Sequence, residues 1–346
     1  MHGRVILAPR NDRAEIESAW GALASLALPA TGEGWQSIPV GAGAAVAMRA
    51  GRHAPGGEEA FLIDLVGTST PSPGVLPQGG GFITETAAVP EGSGRWLCLS
   101  RRPTASLEIF TTMIEDVVGT VHASVDSSPM VLVRTVLDRV HAWQLFMDQA
   151  PGGRLSEERE LGLIGELHVL SDLLKKGHPV LDACFAWTGA KGGLHDFRWP
   201  SGALEVKSTT ATGSFPARIG SLDQLDDAIV SPLVLVAIRA TLSHTGVRLP
   251  DHVAGVRSLV GGHPAASLAL GERLISAGYH DSHAQLYSRR IRVVETRCFL
   301  VDSKLARLVR ANVPSPVVAA SYTLDLDSVA TPSTTLATAF ETLGLI

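Results

Sequence analysis

The chain has few cysteines and no long apolar segment, and both absences exclude classes of protein. Its three cysteines lie far apart without the paired spacing of a zinc site, so we expect free thiols in a reducing cytoplasm: Cys98, Cys184 and Cys298. No apolar run approaches the roughly 20 residues that span a bilayer. The opening residues, Met1-His2-Gly3-Arg4, do not begin a signal peptide. We therefore expect a cytoplasmic protein that does not cross a membrane.

Positive charge is also scarce. The chain has 29 Lys and Arg residues against 34 Asp and Glu, a net charge of −5, which argues mildly against a surface that binds naked DNA over a large area. One segment, between Leu286 and Arg310, is an exception. The segment contains only two acidic residues, Glu295 and Asp302. Its seven basic residues are Arg289, Arg290, Arg292, Arg297, Lys304, Arg307 and Arg310. The segment is a candidate DNA contact, and a solvated strand edge is the alternative.

The length of 346 residues favours two domains, since one domain averages about 150. We expect an α+β accessory domain over 1–150, with Pro151-Gly152-Gly153 as linker. Its predicted strands are Ala44 to Met48, Phe61 to Val66, Phe82 to Ala87 and Trp96 to Leu99, with a loop from Pro71-Ser72-Pro73-Gly74 to Gly79-Gly80-Gly81. Its predicted helices are Ser106 to His122 and Pro129 to Gln149. It shows no catalytic constellation, and partner binding and DNA positioning both stay open.

The strongest chemical signal is a short hairpin that carries Asp196, Glu205 and Lys207. Pro200-Ser201-Gly202 is a turn signal between two alternating runs, Leu194 to Trp199 and Ala203 to Ser208. Side chains two apart on a strand share a face, so Glu205 and Lys207 lie together. A two-residue loop pairs Trp199 with Gly202 and sets Asp196 opposite Glu205, whereas a simple three-residue loop puts Asp196 on the Val206 face. Gly202 is also a suitable bulge residue.

Two carboxylates beside an ammonium suit metal-assisted hydrolysis of a phosphodiester. Hard oxygen ligands hold Mg²⁺, and a nearby lysine orients or deprotonates the attacking water. An acid two residues before a lysine is nevertheless a weak pattern, and it recurs at Asp302-Ser303-Lys304. That second copy follows an apolar run and is typical of a turn, while Glu205-Val206-Lys207 lies on a predicted inner strand. Charge on an inner strand needs a partner.

A helix is predicted upstream, from the N-cap Ser156 to the stop at Lys175-Lys176-Gly177. Glu166 adjoins its apolar stripe of Leu163, Leu167, Leu170 and Leu174, and Gly162 and Gly165 would let the helix approach a sheet closely. Glu166 is either a helix-borne acid that faces the metal or a carboxylate that leans into solvent, and the helix alone does not decide between them.

Downstream of Lys207, a hydroxyl-rich loop begins with Ser208 and Thr209, and Arg218 follows; this composition suits phosphate contacts. Ser221-Leu222-Asp223-Gln224 is a capping box that predicts a short helix in which Gln224 caps rather than catalyses. The wholly apolar run from Pro232 to Ile238 predicts a strand buried on both faces. His280-Asp281-Ser282-His283 reads as a polar loop rather than a metal site.

The chain resembles the PD-(D/E)XK nuclease superfamily, and more closely a bacterial family labelled "PD-(D/E)XK motif protein". The resemblance is carried by Leu161 to Leu167, Ala186-Trp187-Thr188-Gly189, His195-Asp196-Phe197, Ala203 to Ser208, Ser221 to Leu225, Glu295-Thr296-Arg297 and Tyr322 to Leu326. It covers the chain well from about Leu155 onward. The motif's usual proline is replaced by His195, at a position that varies in the superfamily.

This resemblance implies a restriction-endonuclease-like α/β (α+β) core over 154–346, with a central mixed sheet flanked by helices and a C-terminal extension from about 245. It implies Asp196, Glu205 and the Val206 carbonyl as metal ligands, Lys207 as the water-activating group and Glu166 as the helix carboxylate. The cofactor would be Mg²⁺, with Mn²⁺ as a substitute.

The implied activity is that of a deoxyribonuclease, an endonuclease of prokaryotic restriction or defence, which leaves a 5′-phosphate and a 3′-hydroxyl. Expected partners are DNA, contacted by Ser208, Thr209, Arg218, Arg289, Arg290 and Arg292, and other proteins of the system; a homodimer is compatible. The alternative is a non-catalytic DNA-binding or assembly subunit that works through partners. Retention of the three hairpin residues and Glu166 favours the enzyme, and the net acidity favours a complex.

Overall fold

A computed structural model describes residues 12–26, 34–42, 44, 46–65, 76–89, 94–124 and 127–346. The chain forms two compact units, Met1–Gly153 and Arg154–Ile346, and each is described by itself. Within the described ranges, every helix is too short or too polar to cross a membrane. The predicted Pro71-Ser72-Pro73-Gly74 loop and the opening residues Met1-His2-Gly3-Arg4 lie outside the described residues.

Among the described residues of the first unit, three α-helices accompany an antiparallel five-stranded sheet of order β1-β2-β3-β5-β4. The strands are β1 (Gly34–Val40), β2 (Met48–Ala54), β3 (Glu59–Asp64), β4 (Phe82–Ala87) and β5 (Trp96–Arg101). The helices are α1 (Asp12–Ala24), α2 (Leu107–Ala123) and α3 (Pro129–Gln149).

Most of the elements predicted for this unit are confirmed. Helices α2 and α3 and strands β4 and β5 lie where the sequence places them. Strand β3 overlaps the predicted strand from Phe61 to Asp64 but begins at Glu59 and excludes Leu65, and Val66 lies outside the described residues. The strand predicted at Ala44 to Met48 is wrong, because β2 begins at Met48 and runs to Ala54. It contains Arg49, Arg52 and His53, which mask its strand pattern. Helix α1 and strand β1 were not predicted.

The second unit is built on a mixed sheet of order β10-β9-β7-β6. Its strands are β6 (Phe197–Trp199), β7 (Gly202–Thr209), β9 (Leu233–Val247) and β10 (Ile291–Leu300); β8 (Pro216–Ile219) pairs with β11 (Tyr322–Asp325). Strands β7 and β9 run parallel, while β6 and β10 are antiparallel to their neighbours. The helices are α4 (Glu157–Lys175), α5 (Val180–Ala186), α6 (Leu249–Val260), α7 (Pro264–Ser276) and α8 (Leu336–Thr342). The predicted fold class, a mixed sheet flanked by helices, is confirmed.

Helix α4 has the predicted start and stop. The hydroxyl of Ser156 accepts a hydrogen bond from the Arg159 amide at 3.3 Å, and Gly177 adopts a φ of 88° just beyond the helix. Its leucine stripe is buried as predicted: Leu163, Leu167, Leu170 and Leu174. Burial of such apolar side chains, rather than intrinsic propensity, supplies most of the stability of a helix of this kind.

Each face of strand β7 has its own neighbours. Helix α4 reaches the face that carries Ser208, because a Cβ on Gly165 would overlap the Ser208 hydroxyl. The other face begins with Ala203, which packs into an apolar cluster with residues of β8 and β9, including Phe215, Ala217, Leu233, Leu235 and Ala237. Since side chains alternate, Glu205 and Lys207 lie on this second face. The predicted close approach is confirmed for Gly165 and wrong for Gly162, whose Cβ would meet open space.

Two further predictions are corrected. Residues 221–229 form turns rather than a helix, although the Gln224 side chain does act as a local cap by accepting a hydrogen bond from the Gly220 amide at 2.7 Å. The strand predicted to begin at Leu194 starts only at Phe197, while the predicted buried strand is confirmed in β9 and continues to Val247.

The two glycines of α4 give a matched prediction. Gly165→Val should lower the free energy of unfolding by about 1–3 kcal/mol, the usual cost of overpacking a tight contact, because the new side chain meets Ser208 and Ile238. Gly162→Val should change it by less than about 0.5 kcal/mol. Urea denaturation of both variants measures the difference, and equal effects would contradict the close packing of α4 on β7.

Candidate active site

The candidate site begins with a hairpin that has a two-residue turn. Trp199 pairs with Gly202, and Phe197 pairs with Leu204. The turn needs a glycine, since Gly202 has a φ of 145° and its Cβ position overlaps the Pro232 carbonyl. Of the two loops that the sequence left open, the structure has the even one. Extending the register by one residue sets Asp196 beside Glu205.

Asp196 lies just before β6 and is held on several sides. Its Oδ2 accepts a hydrogen bond from the Val206 amide at 2.7 Å, and its backbone carbonyl accepts from the amides of Thr188 and Gly189, each at 2.9 Å. The Thr188 hydroxyl donates to the His195 carbonyl at 2.9 Å. A Cβ on Gly189 would lie 2.5 Å from Asp196 Oδ1, so only glycine fits there. The carboxylate is therefore fixed against β7 by the loop that follows α5.

Glu205 and Lys207 form an ion pair on one face of β7. Lys207 Nζ lies 2.6 Å from Glu205 Oε1, and the side chain of Glu205 is 2% exposed against 20% for Lys207. The second oxygen of Glu205, Oε2, is buried and accepts no hydrogen bond from any described residue. A buried carboxylate oxygen without a donor is costly, so a cation is a suitable partner for it.

The electrostatics of the two carboxyl groups, Glu205 and Asp196, favour a bound cation. The pKa of Glu205 is raised to about 8, first by burial and then by the negative charge of Asp196, although Lys207 opposes the rise. Burial also raises the pKa of Asp196, against the Val206 amide and Lys207, which lower it. Two buried carboxylates that resist ionisation are stabilised in the charged form by a divalent ion. The donor set therefore fits a hard cation such as Mg²⁺ or Mn²⁺.

Glu166 brings a third carboxyl group near Asp196 and Glu205. It is partly exposed on α4, and its Oε2 accepts a hydrogen bond from the indole N–H of Trp187 at 2.5 Å. Burial raises its pKa well above the usual value, and Asp196 raises it further, with a smaller effect from Glu205. Across the described residues, no three His, Cys, Asp or Glu side chains are grouped so that they could hold a metal ion. Glu166 is thus a neighbour of the two carboxylates and not, as placed, a third ligand.

Two other sequence patterns have the structural roles expected for them. Asp302-Ser303-Lys304 is a turn after β10, in which Asp302 Oδ1 accepts from the Lys304 amide at 2.8 Å. The His280 ring contacts the Ser282 hydroxyl in a polar 3₁₀ turn. The three cysteines are buried and free, and burial raises the pKa of each thiol: Cys98 and Cys298 to about 12 and Cys184 to about 11.

The predicted phosphate-contact residues after Lys207 are not grouped into one surface. The hydroxyl oxygen of Ser208 is buried beside Gly165. The Thr209 hydroxyl accepts from the Ala211 amide at 3.1 Å, which fixes the start of the loop. Arg218 is 73% exposed and lies 3.5 Å from the carboxylate of Glu158. Of these three, only Arg218 presents a largely exposed side chain.

The basic segment between Leu286 and Arg310 is less positive than its sequence indicates. Four of its arginines pair with acids of other elements: Arg289 with Glu160, Arg297 with Asp327, Arg307 with Asp227 and Arg310 with Asp223. Arg290 donates to the Gly246 carbonyl at 3.2 Å, and Arg292 is exposed. Contact of Arg289, Arg290 and Arg292 with DNA stays a prediction, and Arg289 would first have to leave its buried partner.

Comparison with known proteins gives one match. A family model described as "Putative PD-(D/E)XK family member, (DUF4420)" matches residues 16–327. No curated protein and no solved structure gives a significant match. The matched range includes the hairpin, helix α4 and strand β11.

Proposed function

Because the chain belongs to the PD-(D/E)XK family, we propose that it is a Mg²⁺-dependent deoxyribonuclease that hydrolyses phosphodiester bonds in DNA. The observation that supports this most is the environment of Glu205. One of its oxygens binds the Lys207 ammonium and the other is buried without a donor, beside the carboxylate of Asp196. An ion pair of Glu205 and Lys207 with a purely structural role would not need Asp196 beside it. The carboxylate of Asp196 raises the free-energy cost of ionising both acids.

Asp196, Glu205 and the carbonyl of Val206 would hold the ion, which would polarise the scissile phosphate and lower the pKa of a bound water. The residues of the chain supply the rest. Lys207, fixed by Glu205, orients the attacking water and offsets charge that develops on the phosphate. Asp196 keeps its orientation because the Val206 amide and the Gly189 backbone hold it. Glu166 supplies the helix carboxyl group near Asp196, with its Oε2 held by the indole N–H of Trp187.

An endonuclease of prokaryotic restriction or defence is the finer proposal, and it rests on the family resemblance. We propose that the cytoplasmic protein works with other proteins of such a system or as a homodimer. A non-catalytic DNA-binding or assembly subunit is the second candidate. The paired arginines of the basic segment and the net charge of −5 favour it, because they leave little free positive charge to hold DNA unaided.

A nuclease assay tests the proposal. The full chain, alone and in complexes co-purified from its native source, is incubated with circular and linear DNA in Mg²⁺, in Mn²⁺ and in chelator. We expect cuts in closed circles, ends with a 5′-phosphate, and no activity in chelator. If neither the chain nor its complexes cut any form of DNA, the non-catalytic candidate is favoured instead.

A further inference from the structure

We propose that Trp187 is a positioning residue of the candidate active site, which holds Glu166 toward Asp196 through its indole N–H and is itself held by Arg273. This inference rests on the proposed nuclease function. It assigns a role in the site to Trp187 and Arg273, which the sequence alone does not identify as functional residues.

Trp187 is placed between α4 and the hairpin. It directly follows α5 and is fully buried. Its backbone pairs antiparallel with Phe197, the first residue of β6, and its indole Nε1 donates to Glu166 Oε2 at 2.5 Å. The same residue therefore contacts the strand that follows Asp196 and the helix that carries Glu166. A displacement of Trp187 would alter the position of both carboxylates.

Arg273 of α7 holds the backbone of Trp187 through hydrogen bonds. Its guanidinium is buried, donates from Nε to the Trp187 carbonyl at 2.9 Å and from Nη2 to the Phe185 carbonyl at 3.1 Å, and lies 5.1 Å from the centre of the Phe185 ring. A buried guanidinium is costly unless its donors are satisfied. Here Nε and Nη2 donate to the backbone at and before Trp187, and Nη1 donates to the Ala269 carbonyl of α7 at 3.3 Å. A purely apolar core would reach the same packing without that charge.

The direction of the indole bond determines which way the Glu166 carboxylate faces. A tryptophan N–H is a donor only, so it donates to one carboxylate oxygen, Oε2, along a fixed line and leaves Oε1 for another partner. Without this hydrogen bond, the Glu166 side chain would be free to take another rotamer on α4. Trp187 thus preorganises the Glu166 carboxyl group of the candidate site.

The chain contains a matched control. Trp143 of α3 is also fully buried, and its indole Nε1 donates to a carboxylate, Asp116 Oδ2, at 2.7 Å. Trp143→Phe and Trp187→Phe therefore remove the same kind of bond and keep an aromatic ring in place. Only the second removes it from the candidate site.

Steady-state cleavage of DNA by the full chain, or by its active complex, tests the role. Trp187→Phe should lower kcat by about tenfold to a hundredfold, the range expected for one hydrogen bond to a charged group, with KM for DNA little changed. In a Glu166→Ala background the same substitution should have no further effect, because its partner is gone. Trp143→Phe should leave kcat unchanged in both backgrounds. A role in folding alone would lower activity equally with and without Glu166.

The wild type, Trp187→Phe, Glu166→Ala and the double variant form a double-mutant cycle. Urea denaturation of these four proteins shows whether each is folded and measures the coupling of Trp187 to Glu166 without reference to cleavage. If Trp187→Phe does not fold, Arg273→Lys replaces it in the cycle and should give the same loss of kcat, again only when Glu166 is present. If the wild type cuts DNA and Trp187→Phe cuts it with the same kcat, the positioning role is overturned and the proposed nuclease function stands. Failure of the wild type to cut DNA overturns both.

Discussion

Lys207→Ala should lower the rate of DNA cleavage by at least about 100-fold, the usual loss when one positioned electrostatic or proton-transfer group is removed. The substitution leaves both carboxylates in place. It removes only the ammonium that lies 2.6 Å from Glu205 Oε1. Folding and metal binding should persist, so the loss should appear in kcat at saturating metal. Circular dichroism and a metal titration of the same preparation check this.

Lys207→Arg should not restore activity. A guanidinium stays protonated at neutral pH, is larger, and spreads its charge over a plane, so it neither deprotonates water nor fits the place of an ammonium beside a buried carboxylate. A variant that recovers most of the activity with arginine would indicate that positive charge alone is needed at this position.

The matched control is Lys304→Ala. Lys304 also lies two residues after an acid, but in an exposed turn where only its backbone amide bonds to Asp302. Cleavage by this variant should equal that of the wild type. If Lys207→Ala and Lys304→Ala cut DNA alike, Lys207 is structural and another residue activates the water.

The parts of the fold that the sequence predicts well are those whose signals are local. Pro200 and Ser201 occupy the turn, Gly202 supplies the positive φ, and the alternation of β7 then places Glu205 and Lys207 on one face. Helix α4 likewise carries its cap and its stop in the sequence. In each case, neighbouring residues determine the backbone without help from distant ones.

The turn at 221–229 shows how tertiary contacts override a local signal. Its capping pattern predicts a helix, but Asp223 pairs with Arg310 at 2.7 Å, and Asp226 Oδ1 accepts from the Ala228 amide at 3.0 Å. These bonds offer the chain an alternative to helical hydrogen bonds. Since Arg310 is far along the sequence, no local window contains the deciding partner.

The charge of the basic segment was overestimated for the same reason. Its sequence count includes only the acids inside the segment, whereas Asp223, Asp227 and Asp327 reach it from elsewhere in the fold. Trp187 and Glu166 lie on different elements 21 residues apart, so their bond was also invisible. One residue type in the sequence does indicate this packing. Gly189 precedes the predicted strand, and a glycine is needed there because Asp196 packs against it.

The second large effect is expected in the response to metal. Mg²⁺ or Mn²⁺ at about ten times its dissociation constant should stabilise the wild type by about 1.4 kcal/mol, a rise in Tm of a few degrees. Asp196→Ala should abolish most of this rise. Asp196→Asn is the sharper variant, because its side-chain oxygen still accepts the Val206 amide while the charge is removed. Asp302→Ala, which removes an acid from an exposed turn, should keep the full shift.

This response should also depend on pH in a defined direction. Glu205 keeps its proton in the folded protein up to a pKa of about 8, against 4.5 as its ordinary value. Without metal, ionisation of Glu205 in the unfolded state therefore lowers the free energy of unfolding progressively as pH rises from about 4.5 to 8. The metal binds the ionised form, so the gain in Tm should be larger at pH 8.5 than at pH 6.5. Thermal melts of wild type and Asp196→Asn across this range measure it. A gain that falls with pH, or one that is equal in the two proteins, would place the ion away from Asp196 and Glu205.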